Sequence, residues 1–129
     1  MMQQISIYLT SIILGIMLFF SFVVAPVTFT ALNEENARKF IRKIFPYYYN
    51  VNLFISFLVL IFFVIQKTFS LNFYLVLMVA ILFALSNYIL MPLINKFKDK
   101  KNKRMFNVTH MATVVINFIQ IFLLIVVIF

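Results

Sequence analysis

Polar positions in this chain are confined to short breaks between long apolar runs. A bilayer's hydrocarbon core, about 30 Å thick, is crossed by about 20 residues at a helical rise of 1.5 Å each. Four runs reach that length, at residues 5–30, 46–66, 71–95 and 105–129, and charges fall between them rather than within them. The pattern predicts four transmembrane helices. The first run has no basic segment before it and exceeds the roughly 7–15 apolar residues of a signal peptide, so it is expected to be retained.

Composition sharpens this picture. The 129 residues are 65% hydrophobic and 11% charged, with a mean hydropathy of +1.10. A soluble domain of that size would need far more polar surface to cover its core. The length allows one domain, residues 1–129, and the predicted fold class is an all-α integral membrane bundle. Cysteine is absent, which excludes disulfides, thiolate metal sites and cysteine nucleophiles. One histidine and three acids (Glu34, Glu35, Asp99) leave little material for catalysis, so the chain is not expected to be an enzyme. No Gly-rich phosphate loop, HExxH or GxSxG motif occurs, and no cofactor or metal is expected.

The net charge of +8 bears on orientation. Arg38, Lys39, Arg42 and Lys43 lie between the first two runs. Lys96, Lys98, Lys100, Lys101, Lys103 and Arg104 lie between the last two, and Lys67 alone occupies the middle loop. Basic residues gathered beside apolar spans mark cytoplasmic loops over anionic lipid, so no nucleic-acid partner is expected. Both chain ends are then predicted on the non-cytoplasmic side of a multi-pass protein, in the cytoplasmic membrane if it is bacterial. Tyr8 and the Tyr47–Tyr49 run suit the headgroup level.

Residues 34–45 have a pattern of their own. Asn33 can cap a helix whose first turn holds Glu34 and Glu35. Ala37, Phe40, Ile41, Ile44 and Phe45 recur on one helical face, with Arg38, Lys39, Arg42 and Lys43 opposite. This predicts a short amphipathic helix in the headgroup layer, ended by Pro46, which also opens the second span. Pro26 and Pro92 are expected to kink the first and third spans.

Inside the spans, the polar residues Asn50, Asn52, Asn87, His110, Thr113, Asn117 and Gln120 concentrate toward the basic side. His110, Thr113, Asn117 and Gln120 form a narrow stripe predicted to face the bundle interior. They could line a small polar pocket, or serve only as interhelical hydrogen bonds worth about 0.6–2 kcal/mol each. Ser11 and Gly15 are a small-xxx-small pair that would let another helix approach closely. The expected partners are anionic lipid headgroups and either a second copy or another membrane protein.

Four stretches carry a family resemblance. They are GIMLFFSFVVAPVTF, containing Gly15, Phe22, Pro26 and Phe29; KIFPYYY, with Phe45, Pro46 and Tyr48; Asn87 followed by Pro92 and a basic run; and Phe106, His110, Thr113 and Asn117 on the last span. In their order they resemble the transmembrane protein 205-like family of small four-helix membrane domains. The resemblance implies a fold and a membrane location but no established activity. Where that family often has a histidine early in the first helix this chain has Ser6, so a bis-histidine haem within one chain is excluded. The expected function is a non-enzymatic binding, transport-accessory or interaction module. The alternatives are an oligomeric transporter or channel subunit and a haem- or metal-linked redox protein.

Overall fold

The computed structural model describes residues 1–129. It contains four long helices: α1 (Met2–Ala31), α2 (Glu34–Ile65), α3 (Leu71–Asp99) and α4 (Lys103–Ile128). At 1.5 Å per residue each exceeds the roughly 30 Å of a hydrocarbon core, so their ends reach the headgroups or beyond. All four are long and apolar enough to cross a membrane.

The chain reverses through tight, specific caps. Asn33 accepts a hydrogen bond from the Asn36 amide at 2.8 Å and starts α2, with Glu34 and Glu35 in the first turn. Asn102 does the same for α4, accepting from the Met105 amide at 3.2 Å. α2 and α3 both end in paired capping bonds: the amides of Lys67 and Thr68 donate to Val64 and Phe63, and those of Lys101 and Asn102 donate to Lys98 and Phe97. The left-handed residue these caps require is usually glycine; here it is Lys67 (φ 55°) and Lys101 (φ 56°).

Pro26 and Pro92 interrupt the regular α-helical turn through a common device. α1 widens into a π turn over Phe20–Val24 and α3 over Ser86–Leu90, each starting six residues before its proline. A proline ring displaces the carbonyl four residues back, and a wider turn accommodates that clash. Ser21 and Asn87 hold the second position of these turns, and both make interhelical hydrogen bonds.

Pro46 behaves differently, and here the prediction needs correcting. Residues 34–45 form no separate interfacial helix; α2 runs unbroken from Glu34 through Pro46 to Ile65. The restriction that proline places on its predecessor is only a preference. Tertiary contacts outweigh it: Ile44 and Phe45 pack on the main core, Ala37 is buried, and Arg42 binds across to the end of α3.

The helices form an up-and-down ring in which each packs on the next and α4 closes against α1. Ile13, Met17, Phe20, Tyr48, Tyr49, Val79, Phe83, Ile121 and Leu124 belong to the main core. A smaller cluster around Val59, Leu60, Val76, Ala80 and Val127 fills the end opposite the basic loops. Phe20 stacks on Tyr48 with centroids 4.2 Å apart, and Phe45 stacks on Tyr49 at 5.6 Å. Of the tyrosine run only Tyr47 points outward; Tyr48 and Tyr49 are buried, contrary to the headgroup placement expected for them. The outer surface is a continuous array of exposed Phe, Ile, Leu and Val, including Phe19, Phe54, Phe57, Phe118 and Phe122. Soluble monomers rarely expose an apolar surface of that extent.

Candidate functional site

The seven polar residues predicted to cluster divide into three groups. The first lies inside the bundle. Tyr48 donates its hydroxyl to Asn117 Oδ1 at 3.0 Å, and Asn117 Nδ2 donates to Ser21 Oγ at 2.9 Å. This node ties α2, α4 and the π turn of α1 together across the core. One turn further from the basic end, Gln120 Nε2 donates to the Val79 carbonyl of α3 at 3.0 Å. Thr113 is buried but returns its hydroxyl to the His110 carbonyl at 2.6 Å. Asn52 is wholly enclosed, at 0% exposure, and neither Oδ1 nor Nδ2 has a hydrogen-bond partner. Its backbone carbonyl accepts from Ser56 Oγ at 2.8 Å.

The second group lies on the outside. Asn87 Nδ2 donates to Asn50 Oδ1 at 3.0 Å, and the Tyr88 hydroxyl donates to the same oxygen at 3.3 Å. Asn50 and Tyr88 are exposed, so this contact joins α2 to α3 on the lipid-facing surface. His110 stands alone as the third. It is exposed, its ring parallel to Phe106 at 5.7 Å, away from the interior stripe to which its spacing assigned it. No three of the histidine and carboxylate side chains come together as a ligating group.

Two members of the inner node escaped the sequence reading. Ser21 gave no signal, because its position depends on the widened turn. Tyr48 did give one: with Asn52 and Ser56 it repeats every four residues along a single helix face.

The basic loops build a site of another kind. The first turns of α2, the end of α3 and the start of α4 enclose a groove of about 550 Å³. Arg38, Lys39, Arg42, Lys98, Lys101 and Lys103 line it, with Phe97 and Phe106 as its apolar surface. All three acids of the chain are also here. Arg42 Nη2 donates to Asp99 Oδ1 at 2.5 Å and to the Asn95 carbonyl at 3.3 Å, clamping α2 to α3. Lys39 pairs with Glu35 at 3.0 Å, one turn away. Lys98 lies 4.8 Å above the Phe106 ring. Arg38, Lys98, Lys101 and Lys103 have no ion-pair partner, so the groove keeps a positive surplus. Of the basic face predicted as Arg38, Lys39, Arg42 and Lys43, the first three line this groove and Lys43 does not.

The remaining motif positions have packing or surface roles. Phe45 packs against the main core, whereas Phe29, Pro26, Pro46 and Pro92 are exposed. Gly15 is exposed as well, and a methyl group added there would meet nothing within 4 Å. No helix of this chain uses the Ser11–Gly15 face for close approach.

Fold and surface together define a multi-span helical membrane protein. The chain belongs to the family described as Domain of unknown function (DUF4149), whose model matches residues 8–103. That match takes in most of α1, all of α2 and α3 and the groove lining except Phe106, and stops before His110, Thr113 and Asn117. Neither the curated proteins nor the solved structures yielded a match.

Proposed function

We propose that the protein is a non-enzymatic membrane module that binds an anionic lipid headgroup in the groove between its two basic loops. One observation carries this reading: six cations from three helix ends surround a single groove, and four of them lack an ion-pair partner. A phosphate at the bilayer surface is matched by several Lys and Arg side chains in reach at once. Phe97 and Phe106 offer apolar surface for the glycerol backbone and the first methylenes of the acyl chains. The positive-inside bias supports a groove at the cytoplasmic leaflet, where anionic lipid gives each nearby cation about 1 kcal/mol of attraction. The motifs shared with transmembrane protein 205-like proteins support placing the chain near them, including the Phe106–Asn117 pattern on α4.

The test is lipid retention. Protein released from bilayers of equal phosphatidylglycerol and phosphatidylcholine is expected to keep phosphatidylglycerol in native mass spectra. Arg38→Ala with Lys101→Ala and Lys103→Ala should remove that preference, since none of these side chains holds the fold through an ion pair. Equal retention of both lipids by the wild-type protein would end the proposal.

A second reading, self-association, rests on the outer Asn50–Asn87 pair. Asn50 Nδ2 and Asn87 Oδ1 make no hydrogen bond within the chain, although they face lipid. A second copy could satisfy both, because an amide donor and acceptor are self-complementary about a two-fold axis. A dimer mass that Asn50→Leu converts to monomer supports this reading; a monomer in native bilayer discs refutes it.

A further inference from the structure

A second cavity, of about 250 Å³, opens at the end of the bundle opposite the basic groove. Its lining includes Gln3, Ser6 and Thr10 of α1, and Gln66, Thr68 and Asn72 around the α2–α3 turn. Gln3 to Thr10 covers two helical turns, so the cavity extends about 10 Å along α1. No charged side chain lines it, although the chain carries eight net positive charges.

Its hydrogen-bonding groups define a complementary ligand. Three hydroxyls commit their hydrogens to backbone carbonyls: Ser6 to Met2 at 3.1 Å, Thr10 to Ser6 at 2.7 Å and Thr68 to Phe63 at 3.4 Å. Each then has only lone pairs left for a further hydrogen bond. Gln66 Nε2 is buried with no partner, and so lacks an acceptor. A group that meets both needs must donate and accept hydrogen bonds without carrying charge. Hydroxyl groups do this. The Phe63 ring and Val127 supply an apolar wall for the carbon framework between hydroxyls. The volume equals that of about eight waters, which suits one small sugar ring or a glycerol unit and nothing much larger.

We infer that this cavity binds a neutral polyhydroxyl group, either a free sugar or polyol or the glycosyl headgroup of a lipid in the adjacent leaflet. The site is independent of the basic groove and of what that groove binds.

The experiment uses the full-length protein in bilayer discs. Saturation-transfer NMR with methyl glucoside reads the free-solute source. Native mass spectrometry after release from discs of monoglucosyl-diacylglycerol and phosphatidylcholine in equal amounts reads the lipid source. Signal in the first experiment, or enrichment of glycolipid over phosphatidylcholine in the second, supports the site and names the source. Absence of both overturns it. Thr10→Val with Gln66→Leu should reduce the positive signal at least tenfold. Thr10→Val alone, which keeps the buried shape, should reduce it severalfold if the double variant does not fold. An undiminished signal in a folded variant would place the ligand elsewhere and overturn the assignment. Arg38→Ala should leave the signal unchanged.

Discussion

Replacing Asn52 with leucine should make the protein more stable. The amide is enclosed at 0% exposure and both its polar atoms lack partners. Burying such a group unsatisfied costs about 1–3 kcal/mol, and removing it recovers that cost. Leucine has the same branched outline but a larger volume, so fitting it into the enclosed site takes back about 1 kcal/mol of that gain. The bond from Ser56 is unaffected, since it ends on the backbone carbonyl. The net expectation is a gain of about 1 kcal/mol. Asn117→Leu provides the contrast, because it leaves the Tyr48 hydroxyl without its acceptor and removes the donor to Ser21. It should cost about 1–2 kcal/mol. Reversible unfolding in mixed micelles of increasing dodecyl sulfate content, followed by far-UV circular dichroism, gives both values on one scale. If Asn52→Leu lost 1 kcal/mol or more, the amide would have to be engaged by a bound water or ligand in the folded protein, and treating it as an unsatisfied group would be wrong.

Three further expectations concern the loops and the outer surface. Lys67→Gly and Lys101→Gly each relieve a left-handed backbone conformation and should add about 1 kcal/mol in the same unfolding assay; a loss would refute the strain. Asp99→Asn breaks the exposed clamp from Arg42 and should cost no more than about 1 kcal/mol, a difference that shrinks in high salt. A larger, salt-independent cost would mean that the ion pair is shielded by bound lipid or protein. Gly15→Ala adds a methyl group into open space and improves helix propensity, so it should stabilise by up to about 1 kcal/mol. Destabilisation accompanied by loss of an oligomer would show that another molecule packs closely on the Ser11–Gly15 face.

How much of this was legible in the sequence depended on the scale of the feature. The four spans follow from the length of the apolar runs alone, and their helices appear within a few residues of the expected limits except at the start of α2, which begins at Glu34 rather than at residue 46. Asn33 as a cap was also legible, because Asn-Glu-Glu before a periodic segment is a local signal. Pro46 was misleading: its local preference breaks helices, while contacts from Ala37, Arg42, Ile44 and Phe45 keep α2 continuous. His110 failed for a different reason. Eleven residues further along, Ile121 sits within about 20° of the same angular position and is only 7% exposed. Periodicity thus gave the direction in which His110 points, but not whether a neighbouring helix covers that direction at its level. The partners Ser21 and Asn87 sit in the π turns, which shift helical phase by a fraction of a turn. No spacing rule for a regular helix contains that shift.

The central claim is that the groove between the basic loops holds an anionic headgroup. Photo-cross-linking from the groove surface tests it most directly, with benzoyl-phenylalanine in place of Phe106 in bilayers of mixed phosphatidylglycerol and phosphatidylcholine. The expected product is predominantly protein joined to phosphatidylglycerol, and it should disappear when Arg38, Lys101 and Lys103 are all replaced by alanine. Adducts that follow the bulk lipid ratio, with or without those three cations, would contradict the claim.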